Sequence, residues 1–119
     1  MISIGGVLGA NARYLVANWA GQRFGTGFPY GTFIINISGA FALGLFMAFL
    51  QDRAFIHPNY RFFFATGFCG AYTTFSTLTY ESLRLFQDGS LLLGFSNIVG
   101  SVVVGMFGVF LGFVVGRMF

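Results

Sequence analysis

The sequence predicts an all-α membrane protein, a single domain of residues 1–119 with four transmembrane helices, and three observations lead to that class. Hydrophobic residues make up 56% of the chain and charged residues only 8%, whereas a soluble domain carries roughly 25% charged residues. Three charge-free runs are each at least 19 residues long, close to the ~20 residues that cross a ~30 Å hydrocarbon layer. These runs are continuously apolar rather than alternating, which favours helices over a barrel.

The four predicted spans follow one another along the chain with short connections between them. The first span, residues 1–22, is apolar but contains Arg13. The other three are the charge-free runs at residues 31–50, 62–80 and 91–116. Both prolines lie in the connections, which are too short to hold a soluble domain.

Arg13 is the one charge inside a predicted span. A charge at the centre of the bilayer costs ~2.5–3.5 kcal/mol on insertion scales, so such a residue is a functional candidate. The alternative is that Arg13 snorkels to water, because the end of the span is about 14 Å of helix away. In either case its charge is predicted to draw anions into a vestibule.

The other charges exclude several classes of function. The six arginines are scattered singly, unlike the basic patch of a nucleic-acid-binding protein, so no nucleic-acid partner is expected. No carboxylate lies inside a span, and the only histidine, His57, lies in a loop. A membrane Ser or Thr nucleophile would lack a base, and no metal-ligand spacing occurs. The chain is therefore predicted not to be an enzyme, and neutral donors beside a positive vestibule suit a small anion.

The arginines outside the first span leave the orientation open. Four spans would place Arg53, Arg61 and Arg117 on one side of the membrane and Arg23 and Arg84 on the other. Three against two is almost no bias under the positive-inside rule. Either the count is too small to be informative, or the chain inserts both ways and pairs as an antiparallel dimer.

Glycines recur at the four-residue spacing that suits close helix packing. Gly5 and Gly9 show it on the first span, and Gly108, Gly112 and Gly116 show it on the fourth. Small residues let helix backbones approach closely in lipid. The pattern is typical of contacts between subunits and equally of packing inside one bundle. Four tightly packed helices leave no central pore, so an ion path is expected between subunits or in a side groove.

Two pairs of polar residues lie inside predicted spans at i, i+4 spacing, on one helix face each. Thr32 and Asn36 form the first pair, and Asn97 and Ser101 form the second. Each pair is explained either by hydrogen bonds between helices or by a polar track. Two such pairs on different helices favour the track.

The third span is predicted to break near the bilayer midplane, at residues 70–74. Its middle mixes Gly with β-branched and hydroxylated residues, which are poor helix formers. A break frees carbonyls that must be buried in protein, bind an ion or line water. The alternative is a continuous helix whose hydroxyls bond to carbonyls one turn back.

Four sequence blocks occur in order, one in each span. They are GGVLGANARY at residues 5–14, YGTFIIN at 30–36, GFCGAYTTFST at 67–77 and NIVGS at 97–101. In order and spacing, and above all in the TTFST block, the chain resembles the CrcB/Fluc family of fluoride channels over essentially its whole length.

The resemblance implies a fluoride-selective channel of the plasma (cell inner) membrane, a multi-pass protein that exports fluoride passively and relieves its toxicity. It implies an antiparallel, dual-topology homodimer in which two fluoride paths are each built from both chains. A central structural Na⁺ would be held by the backbone carbonyls of Gly70 and Thr73. The fluoride path would contain Thr32, Asn36, Phe75, Ser76, Thr77, Asn97 and Ser101. Glu81 matches the acid that closes the third motif.

Two positions depart from the family pattern. Leu78 stands where a second Phe is usual and offers no positive ring edge to an anion, so Tyr72 or Phe95 is the aromatic residue that would compensate. Ala71 replaces a frequent Gly.

Two other functions fit the composition. One is a proton- or cation-coupled exporter, and the absence of an intramembrane carboxylate argues against it. The other is a structural membrane subunit, and the order of the motifs argues against that.

Overall fold

The computed structural model describes residues 1–51, 53 and 55–119, and within these ranges it contains helices and no strand. Asp52, which the sequence places in the loop after the second span, lies outside the described residues. The elements in chain order are α1 (Ile2–Phe24), α2 (Tyr30–Gln51), α3 (Pro58–Arg61), a π-helix (Phe62–Cys69), α4 (Gly70–Tyr72), α5 (Phe75–Gln87) and α6 (Leu91–Arg117). The prediction of an all-helical chain is confirmed.

Two of the described helices, α2 and α6, are long and apolar enough to cross a membrane by length and composition. They coincide with the predicted spans 31–50 and 91–116 to within one residue at each end. The helix α1 is 23 residues long but carries two arginines. The third predicted span is divided among several short elements. The count of four spans therefore stays a prediction.

The helices α2 and α6 form the most extensive contact in the chain, and glycines on both helices make it close. A Cβ at Gly112 would overlap the carbonyl oxygen of Phe41, and one at Gly44 would overlap that of Val109. A Cβ at Gly116 would collide with the Leu45 carbonyl in the same way. The glycine repeat of the fourth span therefore serves packing within one chain, which is one of the two interpretations that the sequence allows.

The glycine pair of α1 packs against the third predicted span, residues 62–80, which we call the third segment. A Cβ at Gly5 would overlap the Phe63 carbonyl oxygen, and one at Gly9 would overlap that of Phe68. On the facing side, a Cβ at Gly67 would lie 2.8 Å from the Ile2 carbonyl oxygen. The backbones of α1 and the π-helix are thus in direct contact, because neither carries a side chain at these points.

The third segment changes its backbone conformation three times, at Gly70, at Thr73 and at Phe75. It begins as a π-helix, in which the Gly70 N–H reaches the Ala65 carbonyl five residues back. After α4, Thr73 (φ −82°, ψ 159°) and Thr74 (φ −151°, ψ 120°) are extended. The helical backbone is interrupted at these two residues and resumes at Phe75, where α5 begins.

Candidate functional site

The extended residues of the third segment are paired with a side chain of α2. Asn36 Nδ2 donates to the Thr74 carbonyl at 3.1 Å, and Asn36 Oδ1 accepts from the Thr74 N–H at 2.9 Å. The amide of Asn36 has the same donor and acceptor as a peptide group, so it satisfies both backbone groups of Thr74. Only one of its two N–H groups is used in this pair.

Thr74 is also the N-cap residue of α5. Its Oγ accepts from the Thr77 N–H at 3.3 Å and donates to the Thr77 hydroxyl at 3.1 Å. This is the N-cap geometry that threonine favours. The Ser76 hydroxyl is 3.4 Å from the Thr74 hydroxyl. The interruption therefore leaves a cluster of three hydroxyl groups at the first turn of α5.

An open groove of about 460 Å³ lies beside the interruption, between α2 and α6. We call it the break groove. Five of the predicted site residues line it: Asn36, Gly70, Thr73, Phe75 and Ser101. Leu78 also lines the groove, and most of the other lining side chains are apolar. The Phe75 side chain is 78% exposed in the single chain, and the buried Ser101 Oγ has no hydrogen-bond partner among the described residues. The polar groups of this groove are neutral.

A second cavity, of about 620 Å³, lies between the α1–α2 connection and α5, and we call it the loop hollow. It contains the predicted residues Thr32 and Thr77 together with Glu81. The Thr32 hydroxyl donates to Glu81 Oε1. Arg84 and Asp88 line the hollow further along α5. The bond between Thr74 and Thr77 joins the two cavities, because one hydroxyl lies in each.

Three predicted residues lie outside both cavities. Arg13 is half-buried on α1, and Ser76 is exposed on α5. Asn97 is fully buried on α6, where its Nδ2 donates to the Ser82 hydroxyl at 2.9 Å. The structure thus places Asn97 against α5 rather than on the surface of the break groove.

Leu78 and the two aromatic residues that are expected to compensate for the missing Phe each have defined surroundings in the structure. Leu78 itself is only 7% exposed. Tyr72 is buried, stacks on Phe68 and shares a 2.9 Å hydrogen bond with Ser38. Phe95 packs edge-on against Phe86. Compensation for the missing ring by Tyr72 or Phe95 therefore stays a prediction.

Sequence reasoning missed two contributions to the site. Thr74 belongs to the TTFST block, but its backbone pairing with α2 joins residues 38 positions apart. Ser82 carries no motif at all. The available signal was its spacing, because Ser82 lies four residues after Leu78 on the same helix face and is buried with it.

Two helices long and apolar enough to cross a membrane, beside a groove of neutral hydrogen-bonding groups, are features of a membrane protein. More particularly, the chain belongs to the CrcB family, because the protein-family model described as "CrcB-like protein, Camphor Resistance (CrcB)" matches residues 1–113. The resemblance seen in the sequence is confirmed.

Curated relatives match nearly the whole chain. The fluoride-specific ion channel FluC of Koribacter versatilis is 45% identical over 103 residues, which cover 87% of this chain and 82% of the relative. The protein of the same name from Chloroflexus aurantiacus is 44% identical over 118 residues, or 99% and 94% of the two chains. That of Acidobacterium capsulatum is 46% identical over 116 residues, or 98% and 93%. The relatives are ion channels by name, so the prediction of a non-enzymatic protein is confirmed.

Proposed function

We propose that the chain is a fluoride-selective channel through which fluoride leaves the cell passively across the plasma membrane, so that its toxicity is relieved. The names of the relatives support this function. The structural observation that carries it is the pairing of Asn36 with Thr74 beside the exposed ring of Phe75, in a groove of neutral donors.

The chemistry of these groups suits a small, strongly hydrated anion. Asn36 has a second N–H that does not bond to Thr74, and this N–H donates to fluoride. The edge of the Phe75 ring is positive, and the Ser101 hydroxyl is a further donor. We infer that the path continues through the hydroxyls of Thr77 and Thr32 in the loop hollow. Ser76 and Asn97 act beside this path, and Arg13 supplies positive charge at a vestibule.

The break groove supports a pore built from two chains. The groove is open along one side, and the Phe75 side chain is largely exposed in a single copy. A second copy in antiparallel orientation covers the groove, so that each of two paths has walls from both chains. In this arrangement each chain crosses the membrane four times. The contact of Arg53 with the Phe119 carbonyl supports placing the α2–α3 connection and the C-terminus on one side.

The interruption also fits a central Na⁺. In a continuous helix, the Gly70 carbonyl would accept from the Thr74 N–H and the Thr73 carbonyl from the Thr77 N–H. Here these N–H groups donate to Asn36 Oδ1 and to the Thr74 hydroxyl. Both carbonyls therefore lack their helical partners, and both residues line the break groove. We propose that these carbonyls from two copies hold Na⁺, which supplies positive charge at the dimer centre.

Fluoride efflux from liposomes that contain the purified protein tests the proposed function. Fluoride should leave rapidly when only its own gradient drives it, and chloride should not. Empty liposomes provide the background rate. Fluoride efflux at that background rate would refute a channel. Equal efflux of chloride would refute selectivity, and efflux that needs an imposed proton or sodium gradient would indicate the coupled exporter instead.

A further inference from the structure

A hydrogen-bonded chain crosses the contact between α5 and α6, and one of its members, Leu78, also lines the break groove. The Ser82 hydroxyl donates to the Leu78 carbonyl at 2.8 Å, and the same oxygen accepts from Asn97 Nδ2 at 2.9 Å. Ser82 is 1% exposed and Asn97 is 0% exposed. Water therefore does not compete for these bonds, and the backbone of α5 is tied to an amide on α6.

The single hydrogen of Ser82 decides which end of the amide faces α5. A serine hydroxyl has one hydrogen to donate, and here the Leu78 carbonyl receives it. Toward Asn97, Ser82 is thus only an acceptor, so the NH₂ end of the amide faces α5 and the oxygen faces away. Within the part of the chain that the structure describes, Asn97 Oδ1 is buried without a hydrogen-bond partner, and so is the Ser101 Oγ one turn along the same face of α6.

We propose that Ser82 is a positioning residue of the fluoride path, which acts by holding the Asn97 amide with its oxygen toward Ser101. The inference rests on the proposed function. Because an amide oxygen accepts hydrogen bonds and repels an anion, Asn97 in this orientation does not bind fluoride itself. The Asn97 oxygen accepts from a water molecule that also contacts the Ser101 hydroxyl, and so sets where that hydroxyl points.

Removing the Ser82 hydroxyl should release the amide. In Ser82→Ala the two ends of the Asn97 amide are no longer distinguished, and the NH₂ group can turn toward Ser101 and hold fluoride in place. We expect fluoride efflux per intact dimer to fall about tenfold, the size of effect that one buried hydrogen bond has on an equilibrium. Ser82→Thr keeps the hydroxyl and should restore efflux to within about twofold of wild type.

A matched control lies on the same helix. The Thr79 hydroxyl donates to the Ser76 carbonyl at 2.9 Å, as Ser82 donates to Leu78, but Thr79 is exposed. Thr79→Val removes a hydroxyl of the same kind and should leave fluoride efflux unchanged. Gel filtration of every variant establishes that the flux is measured on an intact dimer.

A double-mutant cycle separates positioning from general stabilisation. If Ser82 acts through Asn97, adding Ser82→Ala to Asn97→Ala should change efflux by less than about twofold. A further tenfold loss in that background would overturn the proposal, and so would wild-type efflux from intact Ser82→Ala. In both cases, if the wild-type protein conducts fluoride, the proposed channel function is not contradicted. Wild-type protein that does not conduct removes the channel and the positioning role together.

Discussion

Asn36 gives Thr74 the hydrogen-bonding partner that a continuous helix would have supplied. Its amide pairs with the N–H and the carbonyl of Thr74, so the chain is extended there without leaving either group unpaired. In a membrane protein this matters more than in water, because lipid offers no alternative partner. One residue therefore stabilises the interruption and also lines the groove that contains Phe75.

Replacing Asn36 by Asp should abolish most of the fluoride efflux. The carboxylate introduced by Asn36→Asp would accept from the Thr74 N–H but would have no donor for the Thr74 carbonyl, and its charge would repel an anion. We expect efflux to fall more than tenfold and the thermal midpoint of the detergent-solubilised dimer to fall with it. Asn59→Asp, at an exposed amide on α3, is the control and should change neither. Wild-type efflux from Asn36→Asp would exclude Asn36 from the path.

Phe75 should affect conduction without affecting the fold of the single chain. Its side chain is 78% exposed, so Phe75→Ile removes little packing within the chain. The substitution keeps an apolar side chain but removes the positive ring edge, and efflux should fall about tenfold from a dimer that stays intact on gel filtration. Phe107→Ile, at a ring 69% exposed on α6, is the matched control. Equal efflux from both variants would show that the ring edge is not used.

At the scale of elements, glycines determine which helices lie in backbone contact. The pair on α1 meets the π-helix, and the repeat on α6 meets α2. The position of the interruption therefore depends on α1, which contributes no hydrogen bond to it. Gly25 and Gly89 have a different role, since both have φ near +80° in the connections before α2 and α6.

A single methyl group on α1 should disturb the third segment. In Gly9→Ala the new Cβ would overlap the Phe68 carbonyl oxygen, so α1 and the π-helix must separate. We expect a loss of stability of ~1–3 kcal/mol, typical of overpacking, and a lower thermal midpoint. Gly6→Ala is the control on the same helix, because nothing lies within 4 Å of its Cβ. If both variants unfold at the same temperature, the contact between α1 and the π-helix is not close.

In the whole molecule, a single chain leaves the proposed site open to its surroundings. The break groove is open, and large apolar side chains are exposed over α1 and α6. Lipid can cover the apolar helices, but the carbonyls of Gly70 and Thr73 and the neutral donors of the groove need polar partners. The proposed second copy and the proposed Na⁺ would satisfy this requirement, and the near balance of arginines between the two ends would permit the second copy to be inverted.

The location of the C-terminus tests the antiparallel arrangement. A tag after Phe119 should be accessible to protease from both sides of the membrane in comparable amounts. Three lysines added before the tag should bias insertion by the positive-inside rule, so that the tag becomes predominantly cytoplasmic and fluoride efflux falls. A tag found on one side only in the unmodified protein would contradict dual topology.

Hydropathy, charge spacing and motif order are properties of neighbouring residues, and for that reason the helical class, the position of α2 and α6 and the family could be predicted from the amino-acid sequence. The break of the third span near the bilayer midplane stays a prediction from the poor helix formers at residues 70–74; in the folded chain Thr73 and Thr74 are extended. The pairing of the polar groups became evident only from the folded chain. Asn36 with Thr74 and Asn97 with Ser82 depend on how each helix is rotated about its axis, and that rotation follows from packing along the whole length of the helices.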